Sequence, residues 1–337
     1  MADAVSLPFF VPVFATVQGS IASSLALAKN ETGYNAILNQ CATVACKRRS
    51  LHDFSSYEIY VPGLAPECFA CLERYALSLR FAAPYAHELI KRMLREGYYV
   101  NYTLIDDFYI PGKSWYGERH LSHDGIICGY DDSDMTYSIA AYDSEWKFSL
   151  IRAPQESLMR GIESSMEMGE MGELIAVRMR DGRVELDIDM ILKKVRGYMD
   201  SDLQKYPPEV NKKAQGAVIY DYLMKYMDAL SDGSVSHDRM DWRALRPVWE
   251  HKRCMLDRIR AVESKLSMND SISKDYEPLI ALSDELRMMY AFYHRKPRVS
   301  ALGRIRVGLS ELKERELAIL EKFVKETEER LKNDIVE

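Results

Sequence analysis

No stretch of this chain reaches the roughly 18 uninterrupted apolar residues that a membrane-crossing helix requires, so no membrane span is expected. Positive charge is not in excess: 45 basic against 51 acidic side chains leave a formal net charge of −6, and a broad basic face for nucleic acid is not expected. Cysteine is sparse. Six in 337 residues do not make the dense pattern of a small stapled secreted domain, and reduced thiols are expected. Cys41, Cys46, Cys68 and Cys71 have a spacing that structural zinc sites use, but Cys68 and Cys71 read as packing neighbours on a helix, and no metal is expected. Phosphate-loop, GxGxxG, HExxH and GxSxG motifs are all missing, which leaves nucleotide hydrolysis, dinucleotide binding and the common metalloprotease and serine-hydrolase chemistries without support. The apolar run at 5–17 has no basic residues ahead of it, follows Asp3 and is broken by Pro8 and Pro12, so no export signal and a cytoplasmic location are expected.

What is present is a 47% hydrophobic chain able to bury two medium cores. Its organising stretch is 120–147. Apolar residues at 126–130 and an alternating run at 135–142 flank the acidic turn 131–134, the pattern of two antiparallel strands joined by a tight turn. His123 then enters one strand and Asp143 leaves its partner. Such a carboxylate can bond one imidazole nitrogen, fix the tautomer and leave the other nitrogen as a base. An ordinary surface histidine at a strand end has the same spacing.

Before this hairpin, Gln18 and Ser20 open a small-residue helix at 21–29. The spacing predicts a second helix over 32–49, ended by the basic cluster Lys47, Arg48 and Arg49, and a short strand at 57–61. Helices are expected over 66–81 and 84–96, and a strand over 98–106. The aromatic loop with Tyr109, Trp115 and Tyr116 leads into His123, as the wall of a substrate cleft or the cover of a sheet edge would. His120 and His123 are expected to point to opposite faces, giving no metal pair. A strand at 147–152, a helix from 154 to 165, a hairpin over 174–186 turning at Asp181-Gly182 and a helix capped by Asp187 follow. The first 150 residues hold 12 basic and 17 acidic side chains, whereas the remaining 187 hold 33 and 34. This change in charge density marks a helical architecture, with helices expected over 214–230, 242–265, 275–294 and 309–332.

His123, Gly129, Tyr130 and Asp131, followed by a strand ending in Asp143, resemble the second half of the papain-like fold in leader-processing cysteine peptidases and, more closely, in the butirosin biosynthesis protein H family of acyltransferases from natural-product clusters. Segments 216–223, with Tyr220 and Asp221, and 249–256, with Glu250, His251 and Lys252, resemble stretches of relatives of that acyltransferase. The resemblance implies an α+β chain: a papain-like domain with an antiparallel sheet over 1–165, and a mostly α-helical domain over 174–337. It also implies acyl or aminoacyl transfer from a carrier-protein thioester to an amine in peptide or antibiotic biosynthesis. No cofactor of its own is implied; the phosphopantetheine sits on an acyl or peptidyl carrier protein, and the acceptor is a small molecule or peptide.

In that family pattern the first helix carries the nucleophile at its amino end, where free N–H groups help hold an oxyanion. Here Ser20 stands where a cysteine is expected, with Gln18 as oxyanion donor, His123 as base and Asp143 as its orienter. Tyr109, Trp115, Tyr116 and His251 are the candidate substrate contacts. Three readings of the nucleophile stay open: Ser20 activated by His123, Cys68 at the start of the expected helix, or a lost nucleophile in a protein that only binds a carrier protein or peptide. Hydrolysis of a thioester or peptide differs from transfer only in whether water reaches the intermediate.

Overall fold

A computed structural model describes residues 3–15, 18–30, 32–40, 43–47, 58–201 and 213–336. Along the chain run β1 (Ala4–Ser6), α1 (Gln18–Ala28), α2 (Tyr34–Gln40), β2 (Ala45–Lys47), β3 (Glu58–Tyr60), β4 (Leu72–Ser78), α3 (Leu79–Ala82), α4 (Ala86–Arg95) and β5 (Tyr99–Asp106). After them come β6 (Ser122–Asp131), β7 (Thr136–Tyr142), β8 (Phe148–Pro154), α5 (Gln155–Glu167), β9 (Glu173–Met179), α6 (Ile188–Met199), β10 (Lys213–Gln215), α7 (Ile219–Ser231), α8 (Arg246–Lys265), α9 (Ser271–Arg295) and α10 (Val299–Val336). The protein is thus α+β, with an antiparallel sheet and a helical carboxy-terminal region. No helix among the described residues is long and apolar enough to cross a membrane.

Two compact units divide the chain, Met1–Ala36 with Leu64–Val184, and Ile37–Gly63 with Glu185–Glu337. The boundary expected at 165–174 falls later, after Val184, because β9 is not the start of a new domain. It lies between β4 and β5 in a sheet of order β4-β9-β5-β6-β7-β8, with β1 added alongside β6. The hairpin expected at 174–186 is therefore absent. Leu174 to Val177 pair with β4 on one side and β5 on the other, and central pairing outweighs the local Asp-Gly turn signal.

One sheet face packs on α3, α4 and α5 through Val100, Tyr102, Ile127, Ile139, Ile90 and Leu158. α1 packs against β9, β5 and β6. Its Ile21, Ala22, Leu25 and Leu27 are all buried, which explains a helix that is apolar and small nearly all round rather than striped. The chain ahead of it is tied down by two tyrosines, since Tyr99 donates to the Pro8 carbonyl and Tyr142 to that of Ala15, each at 2.7 Å.

Two expected helices are corrected. Residues 66–78 form a 3-10 turn at Pro66–Cys68 and then β4, an edge strand paired along its whole length with β9, and only the end of the expected range is helical, in α3. The expected helix over 32–49 stops at Gln40, and Ala45–Lys47 is strand β2 in a small sheet of order β10-β2-β3. Arg48 and Arg49 lie outside the described residues.

The second unit holds α6 to α10. α10 packs on α6, α7 and α9, while α8 packs on α9. Leu312, Leu320 and Phe323 of α10 are fully buried, so the stripe read from the sequence is bundle core. Asp187 accepts from Met190 N at 2.9 Å and caps α6.

Candidate functional site

The site begins with a β-bulge. β5 and β6 pair at Tyr102 with Gly125 and resume at Ile105 with His123, so β5 carries one extra residue between them. Leu104 takes a left-handed φ of 53°, a backbone strain typical of places where a bulge re-aims the strand end. Gly125 is required opposite, because a Cβ there would stand 2.3 Å from the Tyr102 hydroxyl oxygen. The redirected end delivers two consecutive carboxylates, Asp106 and Asp107, into the interior at 0% and 3% exposure.

Each aspartate faces one histidine, and Asp106 alone is within hydrogen-bond distance of its own. Asp106 Oδ2 lies 2.6 Å from His120 Nδ1 and accepts from Ser164 Oγ at 2.7 Å. Its Oδ1 accepts from Phe108 N and Leu121 N, both at 3.1 Å. Burial works to raise this carboxyl, but the bonds from His120, Ser164 and the two backbone amides outweigh it and hold Asp106 below its ordinary value. Asp106 is a fixed anion.

Asp107 Oδ2 lies 4.0 Å from His123 Nδ1, and its Oδ1 lies 3.2 Å from the buried Lys113 ammonium. Burial pushes Asp107 up, with Lys113 and His123 opposing. Lys113 also donates to the Asp124 carbonyl at 3.3 Å. His123 is pushed below its ordinary value first by burial and then by the Lys113 charge, against the pull of Asp107 and Asp124. A histidine shifted in that direction is neutral at physiological pH and can accept a proton.

Asp143, the expected orienter, is engaged elsewhere. Its Oδ1 accepts from Glu145 N at 2.9 Å and Lys147 N at 3.0 Å, and its Oδ2 from Ser149 Oγ at 2.9 Å. It organises the turn between β7 and β8, a local use of aspartate that competes with any long-range partner. Among the described residues it makes no hydrogen bond to His123. Gln18 and Ser20 lie in the first turn of α1, and their side chains fall outside the described residues. Cys68 is exposed in a 3-10 turn rather than opening a helix, so no helix dipole acts on it. Cys41 lies outside the described residues.

Of the expected substrate contacts, Tyr109 stands beside His120 with ring centroids 6.1 Å apart. Trp115 carries the Arg119 guanidinium over its ring, and Tyr116 is exposed. His251 is different. It is fully buried in α8, its Nδ1 3.0 Å from Lys252 Nζ and its ring against Tyr198. Lys252 is ion-paired with Glu316, which also accepts from Tyr198, Tyr220 and Tyr276. All of these side chains are buried, so His251 belongs to a core network and offers no open substrate contact.

Sequence reasoning missed Asp106, Asp107 and Lys113, and it set His120 aside. The available signal was an acidic doublet closing a strand shortly before two histidines three residues apart. The bulge that turns both acids inward has no such signature in Thr103 and Leu104. No protein-family model matches the chain, and no curated protein matches it either.

Proposed function

We propose that the first unit is a papain-like domain that transfers an acyl or aminoacyl group from a carrier-protein thioester to an amine, with His123 as the base and Asp107, not Asp143, as its nearby carboxylate. The observation that carries this reading is a half-exposed imidazole 4.0 Å from a buried acid at the end of the sheet, its titration lowered by partial burial and then by Lys113. The Tyr142 bond to the Ala15 carbonyl supports it, because it ties the chain just ahead of α1 to the outer end of the same hairpin. In this mechanism Ser20 Oγ attacks the thioester carbonyl carbon and its proton passes to His123. The C–S bond breaks and the proton leaves with the thiol, which is the pantetheine arm of the partner. The acceptor amine then attacks the acyl-serine, gives its proton to His123, and the proton returns to Ser20 as the C–O bond breaks. Gln18 and a backbone N–H of α1 hold the oxyanion.

A second reading, a degenerate papain-like protein that binds a carrier protein or peptide without turnover, draws on the engagement of Asp143 in its own turn and on the 4.0 Å gap between Asp107 and His123. Incubation with an acyl-pantetheine thioester, followed by intact-mass measurement, separates the two. The transfer reading expects an acyl adduct on one residue that disappears in Ser20→Ala and in His123→Ala. Absence of an adduct, with carrier-protein binding unchanged in His123→Ala, rejects transfer in favour of binding alone. An adduct that passes to water but never to an amine assigns hydrolysis.

A further inference from the structure

The best-formed base and orienter in the first unit is not the one the hairpin pattern pointed to. Asp106 is fully buried, holds its charge through four hydrogen bonds, and is 2.6 Å from His120 Nδ1. An ionised carboxylate only accepts hydrogen bonds, so Nδ1 carries the proton and the neutral ring keeps its lone pair on Nε2. The His120 side chain is half exposed. Phe108 stacks on the imidazole, with ring centroids 4.2 Å apart and planes 20° apart, and fixes its orientation. Tyr109 stands at its side and carries Arg160 above its ring, but that guanidinium is already paired with Glu163 at 3.1 Å. The rings beside the imidazole are aromatic, and the adjacent Arg119 lies over the Trp115 ring.

We infer that His120, positioned by Asp106, is a second general base, acting on the hydroxyl, amine or water that attacks an activated ester or thioester whose planar, uncharged portion lies along Tyr109. As the attacking oxygen or nitrogen bonds to the acyl carbon, its proton moves to Nε2. The imidazolium remains paired with Asp106. The bond from the acyl carbon to the leaving group then breaks, and the proton passes from Nε2 to the departing oxygen or sulfur, or to bulk water where the group leaves as a stable anion. Ser164 holds Asp106 through the second lone pair of the same Oδ2 and is, like Asp106, a positioning residue. None of this requires an acyl-serine at residue 20, so it stands or falls apart from the transfer reading.

The test uses the full chain and p-nitrophenyl acetate, whose ring is planar and neutral and whose p-nitrophenolate departs unprotonated. Hydrolysis is expected to fall by roughly 10-fold or more in His120→Ala. After subtraction of the rate that imidazole gives without protein, added imidazole should raise the variant's rate by a larger increment than the unaltered protein's, which loss of structure alone would not produce. Asp106→Asn should lower the rate and change the shape of its pH profile; if that variant does not fold, Ser164→Ala, which keeps the other three bonds, should show a smaller drop of the same kind. A His120→Ala rate equal to the unaltered rate, an equal protein-dependent increment from imidazole in both, or loss confined to His123→Ala would each overturn the inference.

Discussion

The Asp106 carboxylate accepts a 2.6 Å hydrogen bond from His120 across fourteen residues of chain, while its neighbour Asp107 reaches toward His123 without closing a hydrogen bond. One bulge sets both relationships. It places two acids of opposite character side by side, Asp106 held down by its donors and Asp107 pushed up by burial.

Asp106 is expected to govern part of the acid sensitivity of the fold. Its carboxyl sits below its ordinary value in the native protein, so the unfolded chain takes up the proton first as pH falls. The stability it contributes is present above about pH 4 and is lost as pH drops through the native value. Asp106→Asn should cost about 1–3 kcal/mol near neutral pH, because a charged acceptor of four bonds is removed. It should also flatten the acid limb of a plot of urea midpoint against pH. An unchanged acid limb would contradict this.

His123 is expected to report on Lys113 and Asp107 but not on Asp143. Burial and then Lys113 lower its titration, while Asp107 raises it. In a proton NMR titration, Lys113→Met should move the His123 midpoint up and Asp107→Asn should move it down. Asp143→Ala should leave it in place while lowering stability through the lost turn bonds. A shift in the Asp143 variant equal to that in the Asp107 variant would restore the pairing read from the hairpin.

The same depressed histidine has a stability consequence with a definite sign. As pH falls below about 6.5, the unfolded chain binds a proton that native His123 resists, so stability drops toward the lower native value. Replacing His123 by Gln should remove that share of the drop. Urea midpoints at about pH 7.5 and about pH 5.5 in the two proteins measure it.

In the helical unit, Glu316→Gln is expected to be severe, at about 3–5 kcal/mol, because it strands the buried Lys252 ammonium. Lys252→Met combined with Glu316→Leu should recover much of that loss, since it removes both charges together. Denaturant melts of the single and double variants decide the point; a double variant no better than the single would show that the tyrosines, rather than the ion pair, hold the network.

Two glycines give opposite expectations for the same substitution. Gly125→Ala drives a methyl into Tyr102 and should cost about 1–3 kcal/mol. Gly303→Ala, inside α10 with nothing within 4 Å of the new Cβ, should stabilise by about 0.4–1 kcal/mol. Thermal melts of both variants check the sign.

The amino-acid sequence by itself determined the hairpin of β6 and β7, the long amphipathic helices and the cap at Asp187, because each follows from periodicity and turn chemistry within a few neighbouring residues. It also determined that no described helix is apolar enough to cross a membrane. Tertiary structure alone decided that Leu72–Ser78 is an edge strand and that β9 lies between β4 and β5, since strand pairing between distant segments can override local helical pattern. It alone decided which carboxylate meets which histidine. That choice depends on one extra residue in β5 and on whether a nearby turn has already taken the aspartate, and neither can be read from residue spacing.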